Sequence, residues 1–285
     1  MASMRDIKRR RASIQSTEQI TKAMKLVATV KLQKSRVKAE NSKPYFNLMY
    51  ETISSMLQKS GTIHHKYLQP GNTNKKAVVA ITSNRGLAGG YNNNIVKLVS
   101  SELPAADTYV YAIGKKGRDG LIRKGFEIKA DYHDVINEPM YRDAADITLE
   151  LLDSFAQGQI GEIYLAYTSF KNTVVHEPKL IKLLPVEIDT SKVDPNAKAG
   201  ALMNYEPADE EVLDAIVPKY MSSLIYGALL EAVASENGAR MTAMDSATSN
   251  AEDMIDALSL QYNRARQGAI TQELTEIIAG ANAIG

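Results

Sequence analysis

The clearest regularity in the chain is a repeating pattern of apolar and small residues near the C-terminus. From position 241 to position 269 such residues recur at alternating steps of three and four, and polar residues such as Asp245, Glu252 and Asn263 fill the positions between them. This spacing is typical of the seam of a coiled coil. The predicted seam consists of Met241, Met244, Thr248, Ala251, Ile255, Leu258, Tyr262, Ala265 and Ala269. A lone helix would leave this stripe in water, so the pattern predicts a partner helix.

A weaker stripe near the N-terminus is the natural partner, and it consists of Ile7, Ile14, Thr17, Thr21, Met24, Ala28 and Leu32. The first proline is Pro44, the first glycine is Gly61, and no proline follows Pro218. Both ends of the chain can therefore form very long helices, and a helix of roughly 60–70 residues would extend on the order of 100 Å. Because the chain returns through a middle segment, we predict a long antiparallel two-helix coiled coil. The sequence leaves open whether Pro44 ends the first helix or only kinks it.

The middle segment alternates between strand and helix patterns. The predicted strands are Ala77–Thr82, Thr108–Ile113, Phe126–Tyr132 and Glu162–Phe170, with Lys179–Leu184 as an edge strand. The predicted helices are Asn92–Leu103, Lys115–Lys124 and Tyr141–Ala156. This alternation indicates an α/β fold, namely a central Rossmann-like α/β domain with a mostly parallel sheet. We expect a linker at Lys192–Tyr205, and we assign residues 1–60 and 206–285 to the coiled-coil helices and residues 75–190 to the α/β domain.

Charge is distributed unevenly between the two ends. Residues 1–38 contain eleven Lys or Arg against Asp6 and Glu18, whereas residues 206–285 contain four basic and thirteen acidic residues. The net charge of +1 hides this difference. It indicates two solvated helix faces, two ends that lie against each other, or ends that each face a charged partner.

The sequence offers little support for catalysis. The chain has no cysteine, which excludes disulfides, thiolate metal sites and cysteine nucleophiles. No phosphate-binding loop or dinucleotide motif occurs, and Gly114, Gly117 and Gly120 have the wrong spacing for one. Residues Asn84–Gly90 follow the first strand and are called here the glycine-rich loop. This loop could cradle an anion or serve as an exposed contact surface. We therefore predict no catalytic residues, no cofactor-binding residues and no metal site, although an α/β enzyme with a helical arm stays an alternative.

The basic run Lys8–Arg11 could contact nucleic-acid phosphates, but no aromatic residues are interleaved with it for base stacking. A nucleic-acid-binding coiled-coil protein is accordingly the second alternative.

Four strings of the sequence resemble the gamma subunit of F-type (rotary) ATP synthase. They are Ile20–Ala28 (ITKAMKLVA), Thr82–Gly89 (TSNRGLAG), Ala239–Met244 (ARMTAM), and Tyr262–Gln267 followed by Ile270–Ile277 (YNRARQ, ITQELTEI). The likeness covers both ends and the first strand of the middle domain. It implies a non-catalytic rotor shaft that couples ion flow through a membrane ring to conformational cycling of catalytic beta subunits.

The resemblance also implies partners and a location. The expected partners are a hexamer of alpha and beta subunits, an epsilon subunit and a ring of c subunits, with no nucleic acid and with membrane contact only through the complex. The expected location is peripheral, on the cytoplasmic face of a bacterial cell membrane. The absence of a cysteine-bearing insert near Lys192–Tyr205 argues against thiol regulation of the plastid type.

Carried over residue by residue, the resemblance implies partner-contact positions. Those expected to contact beta near the shaft tip are Arg266, Gln267, Thr271 and Glu273, and Met24 is expected to face beta at a second contact. Arg85, Gly86 and Leu87 are expected to lie near an acidic loop of beta. Asn84 departs from the aspartate usual at this position, which puts an ion pair there in doubt.

Overall fold

The computed structural model describes residues 4–59, 65–173, 175–186 and 209–284. They form two units: Met1–Ala28 with Arg240–Gly285, called here the terminal unit, and Thr29–Ala239, called the central unit. The expected linker at Lys192–Tyr205 lies outside the described residues. The elements are α1 (Met4–Lys59), β1 (Lys76–Ile81), α2 (Tyr91–Glu102), β2 (Thr108–Ile113), α3 (Lys115–Ile122), β3 (Glu127–Asp131), α4 (Tyr141–Ala156), β4 (Glu162–Phe170), β5 (His176–Leu184) and α5 (Asp209–Ile284), with 3-10 turns at Ala105–Asp107 and Val135–Asn137.

Both terminal segments form single long helices, of 56 residues in α1 and 76 residues in α5. α1 continues through Pro44 to Lys59, so this proline does not end the helix. α5 contains Pro218, and the Ser222 hydroxyl donates a hydrogen bond to the Pro218 carbonyl one turn earlier. No helix in the described ranges is long and apolar enough to cross a membrane.

The central unit contains a five-stranded sheet with the strand order β3-β2-β1-β4-β5. The first four strands run parallel, and β5 pairs antiparallel with β4 at the edge. This arrangement confirms the predicted mostly parallel sheet. The antiparallel edge strand is longer than the predicted Lys179–Leu184, because it begins at His176.

Helices cover both faces of this sheet, which explains why β1 is a continuous apolar run. Val79 and Ile81 face a core that includes side chains of α4 and α5, whereas Val78 and Ala80 face a second core with α2 and α3. All four residues are buried. A parallel strand that is buried on both faces lacks the polar alternation of a half-exposed strand.

The first part of α5 belongs to the central unit and packs on its sheet. Leu213, Val217, Met221, Ile225 and Leu229 recur every four residues and are each fully buried in the core shared with α4. Each buried leucine or isoleucine contributes about 1.5–3 kcal/mol through removal of its surface from water. α5 is thus part of the α/β core before it enters the terminal unit at Arg240.

Two glycines allow α3 to approach the end of β1. A Cβ on Gly114, where φ is +100°, would lie 2.2 Å from the Thr82 carbonyl oxygen, and one on Gly117 would lie 2.4 Å from the Thr82 hydroxyl oxygen. The Gly117 N–H donates a 2.9 Å hydrogen bond to that hydroxyl. These glycines therefore serve close packing between β1 and α3.

The segment before β1 is joined to α5 by an ion pair. Lys66 Nζ lies 2.8 Å from Asp214 Oδ1, and His65 Nε2 lies 3.3 Å from the same oxygen. The hydrogen bond from Lys66 lowers the pKa of Asp214 below its ordinary value.

Candidate functional site

The two helices of the terminal unit run antiparallel to each other. Lys25 Nζ lies 2.5 Å from Asp245 Oδ1, Lys22 Nζ lies 2.9 Å from Glu252 Oε1, and the Arg11 guanidinium lies 5.8 Å from the Tyr262 ring centroid. From Lys25 to Arg11 the residues of α1 lie progressively nearer the N-terminus, while the residues they contact lie progressively nearer the C-terminal end of α5, as antiparallel helices require. Three basic residues of the first helix thus contact acidic or aromatic residues of the last, so part of the opposite charge of the two ends is paired across the two helices.

The predicted seam on α5 is confirmed by burial. Met244, Thr248, Ala251 and Leu258 are buried, and the other five predicted positions are half-buried. Inside the seam, the Thr248 hydroxyl lies 2.7 Å from the Thr21 hydroxyl, which in turn donates to the Glu18 carbonyl. The pairing of these two hydroxyls was not foreseen, although both threonines stand at predicted seam positions.

The predicted stripe on α1 is wrong at one position, because Thr17 is exposed and Glu18 takes its place. The side chain of Glu18 is only 18% exposed, and its carboxylate lies 2.5 Å from Lys22 Nζ. A glutamate can lie with its aliphatic stem along the seam while its carboxylate reaches a cation at the rim. Hydrogen bonds to Glu18 and Glu252 raise the pKa of Lys22 to about 12.

The expected partner-contact residues of the terminal unit differ in burial. Met24 is half-buried, whereas Arg266, Gln267, Thr271 and Glu273 are exposed. From Ile270 to Asn282 every residue of α5 is exposed, including several large apolar ones. The Thr271 hydroxyl bonds to the Gln267 carbonyl of its own helix. This end of α5 therefore presents both its polar and its apolar side chains to the surroundings.

The loop between β1 and α2 holds one residue in a strained conformation. Leu87 has a φ of +61° and is 65% exposed. A bulky residue with positive φ costs on the order of 1–3 kcal/mol, and such strain is concentrated at functional sites. A leucine held outward against this cost is a candidate contact residue.

Hydrogen bonds brace the loop from both sides. The Ser83 hydroxyl donates to the Arg85 carbonyl at 2.6 Å and lies within hydrogen-bond distance of the Asn92 amide. The Asn84 amide nitrogen donates to the His133 carbonyl at 2.7 Å, and its oxygen accepts from the Lys115 N–H at 3.0 Å. An aspartate could not donate to the His133 carbonyl, so asparagine fits this position.

The described ranges hold no group of three or more His, Asp or Glu side chains arranged to bind a metal ion.

Two candidate contact surfaces therefore come from the preceding observations. The glycine-rich loop combines a hydrogen-bonded frame with an exposed leucine, and the terminal unit combines two paired helices with an exposed helical end.

Comparison with known proteins decides the family. The family model described as ATP synthase matches residues 3–284. A protein of Lachnoclostridium phytofermentans named ATP synthase gamma chain is 65% identical over 290 residues, and the match covers all of both chains. This chain belongs to the ATP synthase gamma-chain family.

Other relatives of the gamma-chain family agree. The ATP synthase gamma chain, sodium ion specific, of Acetobacterium woodii is 40% identical over 99% of both chains. Among solved structures, the central stalk and c-ring structure of the Tetrahymena thermophila mitochondrial ATP synthase contains a chain with 27% identity and a TM-score of 0.58, and the match covers 80% of this chain and 99% of that one. A chain of the Euglena gracilis mitochondrial ATP synthase has the same fold at 17% identity, with a TM-score of 0.67 and coverage of 99% and 94%.

These findings confirm the resemblance seen in the sequence. As a gamma-family chain, the protein is a subunit of a rotary ATP synthase and forms part of its central stalk. The family assignment favours the shaft over a nucleic-acid-binding protein.

Proposed function

We propose that this chain is the central rotor shaft of an F-type ATP synthase, which couples ion flow through the membrane ring to conformational cycling of the catalytic beta subunits. The observation that carries the proposal is the antiparallel pairing of residues 4–28 with residues 240–269 in a chain of the gamma family. A pair of helices joined along a buried seam resists bending and twisting better than either helix alone. The shaft itself is non-catalytic, and ATP chemistry takes place on beta.

The shaft has four proposed partners. The alpha and beta subunits form the sleeve around the terminal unit, and the epsilon subunit and the ring of c subunits contact the remainder of the chain. The corresponding domain assignment is a coiled-coil helix in residues 1–60, the α/β domain in residues 75–190, and the second coiled-coil helix in residues 206–285, whose first part also packs on the sheet of the α/β domain. The chain lies on the cytoplasmic face of a bacterial cell membrane and contacts the membrane through the complex.

Two sets of residues contact beta in this proposal. The set on the terminal unit consists of Arg266, Gln267, Thr271 and Glu273 near the tip and Met24 at a second contact, and the set on the loop consists of Arg85, Gly86 and Leu87. Exposure of the four tip residues on α5 and the strained, exposed conformation of Leu87 support these assignments.

A rotation assay tests the shaft function directly. Because the chain has no cysteine, Lys124→Cys at an exposed position gives this chain a single thiol for attachment of a bead. In a surface-held complex with alpha and beta, addition of ATP is expected to turn the bead in one direction, and the unsubstituted chain is the control for attachment. Absence of rotation in a complex that hydrolyses ATP, or hydrolysis by the purified chain alone, would contradict the proposal.

Matched substitutions test the two contact sets. Arg266→Gln is expected to change the ATP hydrolysis rate of the complex, whereas Arg264→Gln, at an exposed position two residues earlier, is expected to leave it unchanged. Leu87→Gly removes the exposed side chain, while glycine tolerates the positive φ and keeps the loop conformation. Coupling is therefore expected to change in this variant through loss of the contact alone. Equal rates for both arginine variants, or unchanged coupling in Leu87→Gly, would remove the respective contact set.

A further inference from the structure

The strand order of the central unit defines a position where parallel α/β sheets ordinarily bind ligands. From β1 the chain adds β2 and then β3 on one side of the sheet, and it then returns to place β4 on the other side of β1. The direction in which strands are added therefore reverses between β1 and β4. In open parallel sheets the ligand crevice lies at such a reversal, outside the carboxyl ends of the two strands. Here those ends are Ile81 and Phe170.

In this chain α5 occupies the crevice. The Tyr91 hydroxyl, at the start of α2, donates a 3.2 Å hydrogen bond to the Ala232 carbonyl of α5. Tyr91 is 4% exposed and Ala232 is fully buried. The place of a ligand is therefore taken by a helix of the same chain.

Two side chains of α5 also replace a missing strand neighbour of β4. β1 pairs with β4 only as far as Ala166, which leaves the rest of β4 without a β1 partner. The Ser235 hydroxyl donates to the Thr168 carbonyl at 3.1 Å, and the Phe170 N–H donates to Glu231 Oε2 at 3.1 Å. Ser235 is fully buried, so its bond to the strand is shielded from water.

One turn further along, Gly238 brings α5 against the end of the β4–β5 hairpin. A Cβ at Gly238 would lie 2.7 Å from His176 Cε1 and 3.4 Å from the Thr173 carbonyl oxygen. Glu231, Ser235 and Gly238 are spaced by four and three residues and lie on one face of α5. These three residues are called here the hairpin clamp.

We propose that the hairpin clamp is the junction through which torque passes between the α/β domain and α5, and that Glu231 and Ser235 are positioning residues for energy coupling. This inference rests on the proposed shaft function. Apolar packing stabilises the contact of α5 with the sheet without directional bonds. Two hydrogen bonds to fixed backbone atoms of β4 are directional, and they oppose both sliding of α5 along its axis and rotation about it.

The test uses the whole complex reconstituted in vesicles, with ATP hydrolysis and ATP-driven ion pumping measured on the same sample. The double variant Glu231→Ala with Ser235→Ala is expected to hydrolyse ATP within about twofold of the unsubstituted rate, while ions pumped per ATP fall at least threefold. The single variant Glu231→Gln, with Ser235 unchanged, keeps an acceptor for the Phe170 N–H and is expected to keep the unsubstituted ratio. Ser222→Ala is the matched control, because the Ser222 hydroxyl bonds within its own helix.

A second pair of variants tests the close approach. Gly238→Ala is expected to displace His176 and to lower the pumping ratio, and adding His176→Ala is expected to restore it by removing the ring in conflict. Rescue of this kind would not follow from a general loss of helix packing.

The possible results separate the clamp from the shaft function. If the unsubstituted complex rotates and pumps but the clamp variants pump with a normal ratio, the clamp proposal is overturned and the shaft function stands. A parallel loss of hydrolysis and pumping, with a lowered melting temperature, also overturns it, because the residues would then only maintain the fold. Failure of the unsubstituted chain to rotate overturns the shaft function instead.

Discussion

Leu258→Asp places a carboxylate in the seam of the terminal unit. Leu258 is 8% exposed, so its replacement forfeits most of the roughly 1.5–3 kcal/mol that a buried leucine contributes. Desolvation of an unpaired polar group costs about 1–3 kcal/mol more. The expected destabilisation of the paired helices is therefore about 3–5 kcal/mol. Leu260→Asp is the matched control, because Leu260 is 53% exposed and a surface substitution changes stability by about 0.5 kcal/mol or less.

Amide hydrogen exchange of the full chain measures this effect locally. If the helices open as a unit, protection of residues 244–262 is expected to fall by roughly two to four orders of magnitude in Leu258→Asp, since each 1.4 kcal/mol is about a factor of ten. Little change is expected in Leu260→Asp or in the amides of β1. In the reconstituted complex, Leu258→Asp is also expected to lower ions pumped per ATP. Equal loss of protection in the two variants would refute the buried seam.

Three further predictions each concern one substitution, and two of them include a matched control. Gly117→Ala should lower the free energy of unfolding by about 1–3 kcal/mol, because its Cβ would overpack against Thr82. Gly268→Ala should instead raise it by up to about 1 kcal/mol, because this position lies in an exposed helix with open space around it. Urea unfolding that shows the same sign for both variants would contradict this. Asp214→Asn should lower the urea midpoint at pH 7. Because the pKa of Asp214 in the folded chain lies below its ordinary value of 3.8, the difference in midpoint between the two proteins should shrink as the pH falls below 3.8 and vanish below the folded-state pKa. Asn84→Asp should cost about 1–2 kcal/mol in thermal unfolding because a donor is lost, while Asn93→Asp, at an exposed position in α2, should be nearly neutral; equal melting temperatures would argue against the bracing role.

The terminal pairing was predictable because a buried helix seam imposes its own period on the sequence. All nine seam positions on α5 are buried or half-buried, and none required knowledge of the partner. Glu18 was missed because a charged residue type was assumed to be exposed. Its pair with Lys22 lies within one helix and needs no partner. Only the packing of α5 against this face of α1, where Lys22 also reaches Glu252, shows that the stem of Glu18 can lie in the seam.

The sheet was predictable for a similar reason, since strands buried on both faces are short runs of apolar residues. The early part of β5 was missed because His176, Glu177 and Pro178 are polar or lack an N–H. An edge strand tolerates a proline that faces away from the ladder.

The conformation of the glycine-rich loop and the bonds of the hairpin clamp could not be predicted in detail. The glycine-rich string indicated a turn, but nothing in it singles out Leu87 rather than a glycine for positive φ. The bonds from Glu231 and Ser235 to β4 join residues more than 60 positions apart. Such pairings depend on tertiary packing and leave no periodic signal in either segment.

The distance along the chain between the paired helices has a consequence for biosynthesis. Lys25 and its partner Asp245 are 220 residues apart in sequence. At a translation rate of about 5–20 residues per second, the first helix leaves the ribosome on the order of 10–40 s before its partner exists. During that interval its apolar stripe is uncovered, so the nascent chain is expected to depend on a chaperone or to keep this segment unstructured until synthesis is nearly complete.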